Sequence, residues 1–288
     1  NKNSVKALTG EAVQLYEARF GFNQNTHRIA VGEPLGQFYG YITEGLYQVD
    51  DFNYDASTQT YTLKDGVPYH GDKGQIRPGM WKFKNLTGDD NVIDENDKTV
   101  IGNAQPKFYG GLNNSFTYKG FDLSIFLTFS YGNEVLNATK LVTSKVGSLN
   151  YNALDVMNSS NRWMTINSDG QKVTDPGELA ALNAGKTVAA YHDAQQGDNY
   201  IHSWAVEDAS YLKLSNVTLG YTFPKNLIAR IGLKNLRLYA TGNNLLTWTK
   251  YSGFDPEVST MKSGLTPGVD FGAYPLSRSF IFGLNVAF

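Results

Sequence analysis

Residues 107–133 read KFYGGLNNSFTYKGFDLSIFLTFSYGN, and the reading of this stretch decides the fold. In its second half Phe121, Leu123, Ile125, Leu127, Phe129 and Tyr131 fall on one parity, while Asp122, Ser124, Thr128 and Ser130 fall on the other. A period of two is that of a strand with one apolar and one mostly polar face. Upstream, Phe108, Leu112, Phe116 and Tyr118 share a parity, and only Lys119-Gly120 separates the two runs. The spacing predicts a hairpin with a two-residue turn, Gly120 supplying the positive φ. Tyr118 and Phe121 flank that turn and therefore sit opposite each other, so both strands turn their apolar side chains to the same side.

Such a face either covers the core of a soluble sandwich or lies against lipid. Tyr118, Phe121 and Tyr131 crowd the ends of the apolar stripes, as in an interfacial girdle, and the opposite face is rich in Ser, Thr, Asn and Gly. Both features favour lipid.

Composition narrows the function. A chain of 288 residues with a formal net charge of -2 and no cysteine offers neither a nucleic-acid surface nor disulfide or thiolate chemistry. Its 18 Tyr, 16 Phe and 29 Gly suit an aromatic-rich all-β protein with many turns. The longest charge-free, apolar-leaning run, Leu123–Asn133, is too short for a membrane helix, so any passage through a membrane is by strands. The opening NKNSVKALTGEAV lacks the basic start, apolar core and small-residue cleavage site of a secretory signal. The chain therefore reads as mature or as part of something larger.

Outward from the hairpin, membrane strands are expected at 31–47, 107–118, 121–133, 210–223, 235–248 and 278–288, with a weaker pattern at Val13–Phe22. The intervening 48–106, 134–208 and 249–276 read as long loops, the middle one with a helix at Glu178–Ala184 behind Asp175-Pro176. Connections thus alternate, with short turns at Lys119-Gly120 and Lys225–Lys234 between the long loops. A membrane barrel keeps short turns on the periplasmic side and long loops outside, whereas a sandwich has no reason for that asymmetry. Within 121–133, Ile125 is expected to face lipid and Ser124 the lumen.

The blocks VGEPLGQFYGYITEGLYQ, DENDKTVIGNAQPKFYGGLNNSFTYKGFDLSIFLTFSYGNEVLN, NRWMT, EDASYLKLSNVTLGYTFPK, NLRLYATGNNLLTWTKYSGFDPEV and GVDFGAYPLSRSFIFGLNVAF cover nearly the whole chain. In content and order they resemble the C-terminal part of the SusC/RagA-like, TonB-dependent outer-membrane transporters of Bacteroidetes. The resemblance implies an all-β fold, the C-terminal segment of a large antiparallel transmembrane β-barrel of roughly 22 strands with long extracellular loops. It implies import of glycan or peptide nutrients through the outer membrane of a Gram-negative bacterium. A SusD-like surface lipoprotein would be the partner and TonB the energy source. Nothing in the chain looks like the plug or the TonB box that precede the barrel in that family. By likeness to outer-membrane proteins that end in an aromatic, Phe288 is an assembly signal. The rival readings are a soluble surface glycan-binding β-protein, whose apolar parity packs a second sheet, and a small self-contained porin, which needs at least about eight strands.

Residues 88–97, GDDNVIDEND, place Asp and Asn at the alternate positions of a calcium loop, with Asp90, Asp94 and Asp97 as candidate metal ligands. Leu86 and Gly88 stand where that loop needs its opening ligands, and the competing reading is a solvated acidic turn held by Asx hydrogen bonds. Arg237, Tyr239 and Asn243 share the parity opposite Leu236 and Leu238, which directs them to the lumen and the substrate path, or merely to solvating the channel wall. Trp81, Trp163 and Trp204 either stack on sugar rings or anchor the barrel, and Trp163 joins the substrate-path candidates. Trp248, at a strand end, is expected in the girdle. The histidines His27, His70, His192 and His202 have no metal-ligand spacing. With no strained nucleophile turn and no Gly-rich loop opening a helix, no enzyme is expected.

Overall fold

The computed structural model describes residues 2–18, 24–88, 90–144, 154–190, 200–260 and 263–288. Among the described residues, ten short strands come before the hairpin: β1 (Val13–Glu17), β2 (Asn25–Ala30), β3 (Gln37–Gly40), β4 (Thr43–Leu46), β5 (Phe52–Asp55), β6 (Thr60–Leu63), β7 (Tyr69–His70), β8 (Trp81–Phe83), β9 (Val92–Ile93) and β10 (Thr99–Asn103). The hairpin itself is β11 (Phe108–Tyr118) and β12 (Phe121–Tyr131). After it follow β13 (Glu134–Asn137), α1 (Ala138–Thr143), α2 (Pro176–Leu182) and β14 (Val206–Asp208). The chain continues through β15 (Tyr211–Thr222), α3 (Lys225–Ile228), β16 (Asn235–Thr249), β17 (Val269–Asp270) and β18 (Ser279–Ala287).

The long strands form one antiparallel sheet in the order β11-β12-β15-β16-β18. Tyr118 pairs with Phe121 and Phe108 with Tyr131 without a register shift between them. Lys119 and Gly120 take φ of 47° and 88°, the two positive values that a type I′ turn requires. In β15 the alternation breaks at Ser215-Asn216, so that Leu212 and Leu214 lie on one parity and Val217, Leu219 and Tyr221 on the other. A bulge there, opposite Asn244 at φ 51°, absorbs the odd residue and keeps all five on one face. The opposite end of this pair is closed by Pro224, α3 and a left-handed Gly232.

One face of this wall is apolar and uncovered, from Leu112 at 54% exposed on β11 to Phe282 at 81% on β18. Among the described residues no second sheet packs on it, which removes the sandwich arrangement. The five long strands among the described residues do not close on themselves, and a small barrel needs eight or so.

The expected long strand over 31–47 is instead two short ones, β3 and β4, in different sheets. β3 lies in the sheet β1-β2-β3-β10 and β4 pairs with β8. The reason is burial: Phe38, Tyr41, Leu46 and Tyr47 point into cores, which a lipid-facing strand would not allow. The described parts of the segments read as loops are folded as well. Phe38, Leu136, Leu141, Ile201 and Val269 form one core; Leu46, Trp81, Phe83, Trp163 and Leu179 a second; Tyr47, Phe52, Leu63, Ile76 and Met80 a third. None of these core residues comes from β11, β12, β15, β16 or β18. The helix expected at 178–184 starts two residues earlier, with Pro176 at its first turn and the Asp175 carboxylate accepting from Glu178 N–H at 3.0 Å.

Candidate functional site

The wall's second face is a ladder of polar rungs that follows from the register. Asn216 Nδ2 donates to Asn243 Oδ1 at 2.7 Å, and Asn243 Nδ2 donates to Ser279 Oγ at 3.0 Å, tying β15, β16 and β18 together. Thr218 and Thr241 hydroxyls meet at 2.9 Å on the next rung, and Thr128 and Ser215 at 2.6 Å beside the bulge. Nearer the short turns, Arg237 donates to Asp122 from Nε at 3.0 Å and from its terminal nitrogen at 2.5 Å. This bidentate pair joins β16 to β12 across the intervening β15. It passes over Gly220, where a Cβ would lie 2.5 Å from both the guanidinium and the carboxylate. The Arg237 guanidinium in turn lies 5.1 Å from the centroid of the Tyr239 ring, and that ring covers Gly283, where a side chain would collide with it. Arg237, Tyr239 and Asn243 are thus brought to one face, as their parity predicts. Chemically the face is a set of hydroxyls, amides and paired charges, suited to water and polar solutes.

The partners Asp122, Gly220 and Gly283 were not singled out from the sequence. Their signal was present: Asp122 is the one carboxylate in residues 107–133, and it falls on the polar parity.

At the other end of β15, the buried Lys213 bonds to Glu257 and lies 3.7 Å from Asp255. Tyr211 donates to Glu257 at 2.6 Å, so the segment after β16 is fastened to the wall by charge. Trp248 lies exposed on the apolar face, paired with Leu212.

Two expectations are corrected. Trp163 is only 1% exposed, its ring packed on Gly79 in the core with Trp81, so it cannot stack on a substrate within this structure. Trp81 shares that core, and Trp204 is half-buried under Lys140, whose Nζ is 4.1 Å from its ring centroid. The acidic loop is the second correction. Asp97 is buried and accepts from Leu86 N–H at 2.6 Å, Thr87 N–H at 2.8 Å and Asp94 N–H at 2.8 Å. Burial raises its pKa, but these hydrogen bonds outweigh that and hold the carboxyl below the usual carboxylate range. Asp94 accepts from Asn96 N–H at 2.8 Å, and Asp90 from Val92 N–H at 3.3 Å. The carboxylates are turned to backbone amides in Asx fashion, and among the described residues no group of three or more His, Cys, Asp or Glu could hold a metal ion. Calcium is therefore not supported.

His27, His70 and His202 are core residues. His27 bonds through Thr26 Oγ1 at 2.8 Å and Pro267 O at 2.9 Å, and His202 through Thr43 Oγ1 at 2.8 Å. His70 is buried among Tyr47, Phe83 and Tyr200 with neither ring nitrogen hydrogen-bonded. Burial pushes the imidazoles down, His27 and His70 to about 4 and His202 to about 3. His192 lies outside the described residues.

An apolar face left open and a polar face laddered behind it define the wall of a membrane β-barrel. Comparison with models of known families gives no match. Among curated proteins, the TonB-dependent receptor P3 of Formosa agariphila is 33% identical over 295 aligned residues, covering 100% of this chain and 26% of its own length. The TonB-dependent receptor SusC of Bacteroides thetaiotaomicron is 29% identical over 226 residues, 76% of this chain and 18% of its own. Among solved structures, the RagAB peptide transporter superposes with a TM-score of 0.63 at 21% identity, over 99% of this chain and 25% of that one. The chain belongs to the TonB-dependent receptors, and it spans about a quarter of the length of the first of these relatives.

Proposed function

We propose that this chain is part of a TonB-dependent importer in the outer membrane of a Gram-negative bacterium. In this reading the wall β11, β12, β15, β16 and β18 meets lipid with its apolar face and lines the lumen with its polar face. The turns at 119–120 and 225–234 face the periplasm, and residues 48–106, 134–208 and 249–276 lie outside, their described parts forming a folded layer. Arg237, Tyr239 and Asn243 belong to the wall of the substrate path. The cargo is an oligosaccharide or an oligopeptide, the partner a SusD-like surface lipoprotein, and TonB the energy source. Phe288, exposed and in phase with Phe280–Val286, serves as an assembly signal as well as a lipid contact.

The uncovered apolar face carries this reading: a water-soluble protein rarely exposes so large an apolar surface. Residues 1–288 contain no cysteine, so a single thiol introduced among them has no competitor within this stretch. In the full-length protein in cells, Ser124→Cys should react with a small hydrophilic maleimide and Ile125→Cys should not. Equal labelling of both by the hydrophilic reagent would remove the membrane assignment.

A further inference from the structure

Outside the wall, the tip of the β5–β6 hairpin, the Arg77-Pro78 turn and the 165–179 segment enclose a cleft of about 330 Å³. Tyr61, Pro78, Val173 and Leu179 give it an apolar floor, and Arg77 and Lys172 supply two cations with no carboxylate in the lining. The cleft is preformed, because the Tyr61 hydroxyl donates to Thr174 O at 2.7 Å and so clamps the hairpin to the opposite wall. Arg77 is held too: one terminal nitrogen donates to Gly74 O at 2.7 Å and Ile76 O at 2.8 Å. Its other two guanidinium nitrogens have no acceptor among the described residues, and neither has Lys172 Nζ. Asp175, next to Thr174 in the chain, is engaged in capping α2.

We propose that this cleft binds a carboxylate carried on a ring or short chain, the anion between Arg77 and Lys172 and its body on the Tyr61–Leu179 floor. A guanidinium fixed along one edge and free along the other is a ready donor fork for a planar carboxylate. Two unneutralised cations above apolar side chains favour a ligand that is anionic at one end and hydrophobic at the other. The inference deepens the import reading by naming a chemical class of cargo, and rests on that reading for the ligand's source.

Binding and transport are therefore measured separately. With full-length protein purified in detergent, calorimetry compares trigalacturonate with its neutral galactose counterpart, and triglutamate with triglutamine. The acidic probe of at least one pair should bind at least tenfold more tightly than its neutral partner, and added salt should weaken it. Whichever acidic probe binds identifies glycan or peptide as the source. Lys172→Gln, at an exposed position, should weaken that probe about tenfold without changing heat-modifiability, and Arg77→Lys should also weaken it although charge is kept. Equal affinity for acidic and neutral probes, no binding of either acidic probe, or unchanged binding in Lys172→Gln overturns the proposal. Loss of uptake with binding intact would count against the import reading alone.

Discussion

The wall and the layer joined to it use apolar side chains in opposite ways. In the wall they mostly alternate, with a bulge restoring the phase in β15, and end up outside, with Phe282 81% exposed. In the layer they are irregularly spaced and end up inside, with Tyr47 and Phe38 at 0%. The wall is held by register: each strand fixes its neighbour through backbone pairing, and polar rungs only decorate one side. The layer is held by convergence, as residues far apart in sequence, such as Trp81 and Trp163, close on a common core. One chain thus contains a part whose solvent is its neighbour strand and lipid, and a part that folds like a small soluble domain.

The severest test of this contrast is isolation. β11 and β18 each have only one strand partner among the described residues, and an unpaired backbone group costs several kcal/mol in lipid. Residues 1–288 expressed alone and refolded in detergent should give no heat-modifiable, protease-resistant monomer. A discrete monomer conducting ions in a planar bilayer would break the comparison by showing that the wall closes on itself.

A single charge should separate the two faces. In the full-length protein Ile125→Arg should destabilise the barrel by about 2 to 4 kcal/mol if Ile125 lies near the bilayer midplane, and Ser124→Arg by much less. Unfolding in lipid vesicles measures both; equal losses would mean that parity does not divide lipid from lumen.

Acid should strike the layer and spare the wall. His70 has its folded pKa lowered from 6.5 to about 4, so above pH 6.5 it is neutral in both states and its contribution is intact. As pH falls the unfolded imidazole takes up its proton first, and stability is lost until about pH 4, where both forms are charged. At about 1.36 kcal/mol per pKa unit the loss is roughly 3 kcal/mol. His70→Phe, whose ring would rest among Tyr47, Phe83 and Tyr200, should make that acid limb shallower and leave the part due to His27 and His202. Tryptophan fluorescence of the layer's unfolding between pH 7 and pH 4 checks it, and an acid limb as steep as in the wild type would refute the assignment.

The smallest effect belongs to the ion pair. Asp122 and Arg237 side chains are 37% and 24% exposed, so solvent screens them and their double-mutant coupling should be no more than about 1 kcal/mol. A coupling of several kcal/mol would mean that this end of the wall is shielded from water as the layer's core is.

What could be read in advance follows the same division. The hairpin, its turn, the shared face of Arg237, Tyr239 and Asn243 and the two-faced character of 235–248 were legible because strand geometry has a period of two and pairing is local. The acidic loop was half legible: its Asx alternative was visible, but the choice depended on where Leu86 and Thr87 amides lie relative to Asp97. Trp163 was not legible at all, since a tryptophan in an irregular segment looks the same whether it meets a sugar or Gly79.

By itself the sequence determined the wall, because alternation, a Lys-Gly turn and polar rungs specify strands and faces within a few residues of each other. Only the tertiary structure decided that 31–47 breaks into β3 and β4, that the described parts of the long connections are folded, and that Asp122 reaches Arg237 across Gly220. The physical reason is range: register follows from neighbours in the chain, whereas burial, ion pairing and cleft formation depend on side chains that the fold alone brings together.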